Sequence, residues 1–338
     1  MKFKIILFLS LLPFLLGKSL QATIKACSER EKFIINKTVG YFSQRTEPKL
    51  LEQELVHMKK YYHKFFYEIS ANNAGVEQKS EFFYYKSLVG SKEKKPTILL
   101  FSGIQGVSIL ERYVASKLAK KGFSIIISSQ KGISHLDHIK KVKPFLATSV
   151  FSSLNLVDFA SQMKGVDSEN ISLIGISLGG FRALYLSLID LRVKANVLVI
   201  SGLSIAKAIT YSSLGVAREL RTKQMSALGL DEEKDKAKYL ELLQKELPFN
   251  AKDLVCRRKT SDYFLFQSKK DTAVPYRQQS ELHRVLGYPR LERTKLLGHK
   301  GAAVLFALTG LSDSLEFIRG HYMFPDFESD LPLVPNLG

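Results

Sequence analysis

From Glu81 onward the chain alternates short apolar runs, rich in β-branched and aromatic residues, with helix-like stretches. Phe82 to Val89 reads as a strand and Thr97 to Phe101 (TILLF) as a buried one. A helix-like stretch from Val107 to Lys120 follows, then a strand from Phe123 to Ser128, a helix from about Ser149 to Met163, and the strand Ile171 to Ile174. Leu178 to Leu188 reads as helix, Ala195 to Ile200 (ANVLVI) and Tyr263 to Phe266 (YFLF) as strands, Arg277 to Leu286 as helix, and Ala302 to Ile318 as a closing helix. Strands separated by helices need crossover connections rather than hairpins. The expected fold class is therefore α/β, a mostly parallel central sheet with helices on both faces. At 338 residues and 45% hydrophobic content, the chain has ample material for such a core.

One interval breaks the rhythm. Between Gly202 and about Thr260 lies a long charged helical segment where a short connection would have sufficed, which predicts a helical cap insertion over 203–260. The core is then split into 81–202 and 261–321. Residues 23–80 read as a helical N-terminal extension: Leu51, Leu55, Met58 and Tyr62 are spaced three or four apart, as one helix face requires, and Tyr61, Tyr62, Phe65, Phe66 and Tyr67 would pack it on the domain. The end, 322–338, with Pro325, Pro332 and Pro335, is expected to be an extended tail.

The first residues, M-K-F-K, are positive, an apolar stretch over 5–17 follows, and then polar residues and a small Ala22. That is the anatomy of a secretory signal peptide over 1–22. The apolar stretch is short of the roughly 20 residues that a spanning helix needs, and Pro13 interrupts it. Export to the periplasm or medium is the expectation, ahead of a retained membrane anchor. Cys27 and Cys256 are the only thiols; an exported chain either closes one large loop with them or leaves both free. The formal charge of +18 remains +15 without Lys2, Lys4 and Lys18, an excess that favours anionic surfaces without selecting among them. The lysines are dispersed and neither zinc-finger cysteines nor an RNP-type aromatic motif occurs, so no specific nucleic acid partner is expected.

The segment ISLIGISLGGFRAL contains Gly175, Ile176, Ser177, Leu178 and Gly179, a G-x-S-x-G pattern. The string alone is weak, but here it follows a buried strand and opens a helix, where a tight turn lifts a serine above the sheet. Gly175 and Gly179 flank Ser177 because side chains at those places would collide in so sharp a turn. A serine hydroxyl needs a base near neutrality within hydrogen-bond reach. In a sheet of this kind the partners follow in the order serine, acid, histidine, each beyond a later strand. QSKKDTAVP places Asp271 just beyond the strand YFLF, and GHKGA places His299 before the closing helix. For the developing oxyanion, one backbone donor is the N–H of Leu178; the second comes from the loop Ser102 to Gly106, with Ile104 favoured and Gln105 the alternative.

These residues, SGIQG, GISLGG, the Asp271 loop and GHKG, resemble the α/β-hydrolase superfamily over about 97–318. The resemblance implies an eight-stranded core and serine-dependent acyl transfer, with no cofactor. Many relatives carry histidine where this chain has Ser102. GISLGG with a D-x-x-V-P loop looks like carboxylesterases, dienelactone-hydrolase-like enzymes and serine peptidases alike, so fold does not choose among them. The leading expectation is an exported serine esterase acting on a small-molecule ester; a peptidase of the same fold and a non-catalytic binding protein are the alternatives. His135, Asp137 and His138 lack the spacing that would set two imidazoles and a base on one helix face, and no metal is expected.

Overall fold

The computed structural model describes residues 26–128, 133, 135–247 and 249–322. The expected signal peptide, and the expected tail beyond Tyr322, lie outside the described residues. Helix α1 (Glu29–Phe42) opens on Ser28, whose hydroxyl accepts from the Glu31 N–H while the Glu31 carboxylate accepts from the Ser28 N–H. Strands β1 (Lys49–Met58), β2 (Tyr62–Asn73) and β3 (Val76–Ser87) follow as an antiparallel meander.

This corrects the helical extension expected over 23–80, which is helix only in α1. Leu51, Leu55 and Met58 lie on β1, and Tyr62 opens β2. β1 is exposed along its whole length, so its apolar spacing records no buried face; register shifts at Leu50/Glu52 and Leu55/His57 also break a two-residue period. The aromatics of β2 pack across the meander instead. Tyr67 stacks flat on Phe82 of β3, ring centroids 5.1 Å apart. Ala74 and Gly75, both with positive φ, form the two-residue turn between β2 and β3.

Beyond the meander come β4 (Lys95–Phe101), α2 (Ile109–Ala119), β5 (Ser124–Ser128), α3 (Val142–Gln162), β6 (Val166–Ile176), α4 (Leu178–Ile189) and β7 (Val193–Val199). Helices α5 (Ile205–Tyr211), α6 (Gly215–Ala227) and α7 (Lys236–Lys245) then occupy the expected cap insertion. The chain returns to the sheet with β8 (Tyr263–Ser268), α8 (Tyr276–Val285), β9 (Arg290–Thr294) and α9 (His299–Leu305), which continues through a π-helical turn at Phe306–Gly310 into α10 (Leu311–Arg319).

Among the described residues nine strands make one sheet in the order β1-β2-β3-β5-β4-β6-β7-β8-β9, one strand more than the resemblance implies. The six from β5 to β9 run parallel and the meander is added antiparallel at one end. Side chains alternate between two cores, as a strand period of two requires. Leu99, Phe101, Leu173 and Leu265 face α3, α4 and α8; Ile98, Leu100, Ile174 and Phe264 face α2 and α9–α10. A third apolar cluster lies under the cap, joining Ile205 and Ile209 of α5 and Leu220 of α6 to Phe181 of α4.

β4 and β6 are neighbours, and the chain leaves β4 toward β5 on one side and β6 toward β7 on the other. A crevice opens where such connections diverge, at the carboxyl ends of parallel strands. Polar contacts anchor the cap above it: Ser213 N–H to the Thr272 carbonyl at 2.9 Å, the Ser213 and Thr272 hydroxyls at 2.6 Å, and Lys207 with Glu281 of α8 at 2.7 Å. Cys27 and Cys256 are joined in a disulfide, their Cα atoms 5.4 Å apart, tying the chain before α1 to the end of the cap segment.

Helix α4 meets the sheet backbone to backbone. A Cβ added to Gly179 would lie 2.1 Å from the Phe101 carbonyl oxygen and 2.6 Å from that of Ser102; one on Gly175 would lie 2.4 Å from the Gly179 oxygen. Backbone atoms cannot step aside as a flexible side chain can. Gly179→Ala is therefore expected to cost more than about 3 kcal/mol or prevent folding. Gly215→Ala, where an added Cβ meets nothing within 4 Å, should be neutral or mildly stabilising. Denaturant midpoints of the two variants check this; matching midpoints would contradict it.

Candidate active site

Ser177 sits between β6 and α4 with φ 57° and ψ −117°, a conformation that side-chain-bearing residues adopt only under constraint. Its N–H donates to the Val199 carbonyl of β7 at 2.9 Å, and its own carbonyl accepts from Gly180 N–H at 2.9 Å. Gly180 is pressed by the next strand: an added Cβ would lie 2.4 Å from Ser201 Cβ. Ile200, a β-branched residue at φ 44°, directs the chain into that position, its N–H bonded to Phe266 of β8 at 2.7 Å.

Three side chains distant in sequence meet here. His299, the first residue of α9, places Nε2 2.8 Å from Ser177 Oγ and Nδ1 2.8 Å from Asp271 Oδ2. Asp271 is 3% exposed, and both of its oxygens are saturated. Oδ1 accepts from the N–H groups of Ala273 at 2.8 Å and Val274 at 3.0 Å; Oδ2 accepts from the Gln279 amide at 2.9 Å as well as from His299. A carboxylate held this way is an acceptor, so Nδ1 carries the imidazole proton. That leaves Nε2 free to accept from the serine hydroxyl.

Sequence reasoning missed Gln279. Fully buried on α8, it donates to Asp271 and to the Val274 carbonyl at 2.8 Å, and its Oε1 accepts from Ser268 N–H at 3.0 Å. The available signal was an amide on the buried side of a helix directly after the acid loop. The His299 loop is clamped from the same strand end: the Ser268 hydroxyl donates to the Leu297 carbonyl, and Lys269 N–H donates to the Thr294 carbonyl at 3.0 Å.

The loop after β4 flanks the nucleophile. A Cβ added at Gly103 would lie 3.7 Å from Ser177 Cβ, and Gly106 N–H closes a turn on the Gly103 carbonyl at 3.1 Å. Ile104 and Leu178 line the cleft at Ser177, and Gln105 is not among its lining residues. Ser102 is buried and its hydroxyl faces the Ser128 carbonyl of β5, 3.5 Å away, so it braces the loop. Beneath this end of the sheet lies the guanidinium of Arg182, 5% exposed, stacked 4.6 Å from the centre of the Phe101 ring and donating to the hydroxyls of Ser128 and Ser153. Burial pushes its pKa down to about 9.

The cleft holds about 50 Å³ of space open to the centre of a water-sized sphere, inside about 450 Å³ that runs out to solvent. His138 Nδ1 accepts from Lys140 N–H and Asp137 pairs with Lys141 at 2.6 Å. Among the described residues no group of three or more His, Cys, Asp or Glu side chains could hold a metal ion.

No protein-family model and no curated protein matches the chain. Solved structures do. Acetyl xylan esterase 1 from Thermoanaerobacterium sp. JW/SL YS485 superposes with a TM-score of 0.64 at 15% identity, over 88% of this chain and 95% of that one. The acetyl xylan esterase from Paenibacillus sp. R4 gives 0.65 at 13%, over 88% and 96%. The α/β-hydrolase GrgF from Penicillium sp. sh18 gives 0.53 at 14%, over 73% and 95%. At such identities the likeness speaks to architecture, and with the parallel sheet, the strained serine turn and the cap it leads to one statement: the chain has the α/β-hydrolase fold.

Proposed function

We propose that this protein is an exported serine hydrolase that cleaves a carboxylic ester through an acyl-enzyme on Ser177. The observation that carries the reading is the unbroken hydrogen-bonded line from Ser177 Oγ through His299 to the buried Asp271 at the head of a cleft. The acetyl xylan esterases among the similar structures fit an ester substrate.

In this scheme Oγ attacks the ester carbonyl carbon as its proton passes to His299 Nε2. The imidazolium is stabilised by Asp271, which stays ionised. The carbonyl oxygen, now negative, is met by the backbone N–H groups of Leu178 and Ile104, each such donor contributing about 10²- to 10³-fold in rate. Collapse breaks the ester C–O bond, and His299 returns its proton to the departing alcohol. Water then attacks the acyl-serine, giving a proton to His299, and the acid leaves as Ser177 regains its hydrogen.

Export is supported by the Cys27–Cys256 bond, which persists in oxidising compartments, and by the signal-like start of the sequence. The positive surplus fits residence near anionic surfaces. Fractionation of the producing cells is expected to find the chain outside the cytosol and shortened to about residue 23; a full-length cytosolic protein with free thiols would contradict export.

A fluorophosphonate probe is expected to label the wild-type protein and not Ser177→Ala, with hydrolysis of p-nitrophenyl butanoate lost by at least about 10³-fold. Folded wild type that stays unlabelled, or equal labelling of the variant, overturns the reading. Gln279→Leu removes a donor to Asp271 and is expected to lower kcat about 10- to 100-fold with KM little changed, because the imidazole is then held less firmly. An unchanged kcat would show that the two backbone N–H groups orient Asp271 unaided.

A further inference from the structure

The described residues that line the cleft beside Ser177 share one chemical character. Its floor is Phe181, one helical turn beyond the nucleophile on α4; Val274 of the acid loop and Ile104 close two sides. Its roof is the cap: Ile205, Ala208 and Ile209, spaced i, i+3, i+4, present a single face of α5 to it. Among the described residues no charged side chain lines this space. The hydroxyl of Ser212, the only polar side chain among the described lining residues besides Ser177, already accepts from Leu214 N–H at 3.1 Å. A charged acyl group entering the cleft would lose its water and gain no partner, whereas methylene groups gain about fourfold in binding each on burial.

Size sets the second limit. The cleft is small, about 50 Å³, so a short acyl chain fits against these walls and a long one would have to displace them or run out to solvent. The opposite side of the ester faces the region open to solvent and is not constrained by these walls.

We propose that the apolar cleft beneath α5 is the acyl site, shaped for a short, uncharged aliphatic acyl group longer than acetyl, with Ala208 and Ile209 setting the length. The inference rests on the proposed serine-esterase reading and goes beyond it, since an acetyl group would fill only part of the cleft. Ala208 is the narrowest point of the α5 face in side-chain volume, so enlarging it shortens the site, and truncating Ile209 lengthens it.

The experiment measures kcat/KM for p-nitrophenyl acetate, butanoate, hexanoate and decanoate, with Ser177→Ala as the control that tests the parent reading. Butanoate is expected to exceed acetate by about fifteenfold, two methylenes at about fourfold each, and decanoate to fall below hexanoate. Ala208→Leu should reduce the butanoate-to-acetate ratio about tenfold; Ile209→Ala, which keeps the test open if the first variant misfolds, should move the optimum to a longer chain. A Ser177-dependent profile that is best for acetate, or that keeps rising to decanoate, overturns the acyl-site proposal while leaving the esterase reading intact. Should wild type cleave none of the esters, the esterase reading fails, and thermal stabilisation by methyl-, propyl- and octylboronic acids then decides the cleft: propyl giving the largest shift supports it, and no order among the three overturns it.

Discussion

The backbone of Gly179 lies against the carbonyl oxygens of Phe101 and Ser102 at a separation that no side chain could share. This contact joins the turn that carries the nucleophile to the start of the loop that would receive the oxyanion. Their relative position is thereby set by peptide groups rather than by side-chain packing. Gly175 folds under the same turn, and Gly180 lets β7 approach from the other flank through Ser201. Three adjacent strand ends, β4, β6 and β7, are thus drawn together at Ser177. The strained φ of the serine is the local cost of that convergence, distributed over hydrogen bonds to Val199 and Gly180.

The positions of Asp271 and His299 depend on parallel strands ending at one edge. β8 delivers Asp271 three residues past its last residue and β9 delivers His299 five past its own, so short loops suffice to close gaps of 28 and 122 residues in sequence. Loops this short still need fixing. Gln279 reads the acid loop from α8, Ser268 ties the two loops together, and four donors converge on the Asp271 carboxylate. A buried carboxylate is costly unless its oxygens are hydrogen-bonded, and here those bonds also fix the imidazole plane.

The α/β core was legible because its strands are buried on both faces and its helices on one, so hydrophobic runs and periods record tertiary position directly. Ser177, Asp271 and His299 were legible because turn chemistry and chain order constrain them. Other parts left no such mark. β1 buries neither face, so the spacing of Leu51, Leu55 and Met58 resembles a helix as well as a strand, while cross-strand pairs such as Tyr67 with Phe82 decide the matter in three dimensions. β9, RLERT, is a charged edge strand whose apolar content gives no period. Gln279 acts through amide hydrogen bonds to residues that only the fold brings near, and the pairing of Cys27 with Cys256 is a matter of distance that sequence does not contain.

The cap is bound to the loops around Ser177 and Asp271 by the same elements that it covers. Ser213 holds the acid loop at Thr272, Lys207 holds α8 at Glu281, and Gln224, itself held by the Tyr239 hydroxyl at 2.6 Å, donates to the Leu136 carbonyl beyond β5. At its far end the cap segment is fastened through Cys256 to the residues preceding α1, whose Phe42 packs on Phe151 of α3 and on Phe249. A roof anchored at each end presents its apolar face to Ser177 already formed. In the proposed esterase, little conformational entropy would then be spent on assembling the walls of the cleft, and binding energy would be left for aligning the ester carbonyl with Ser177.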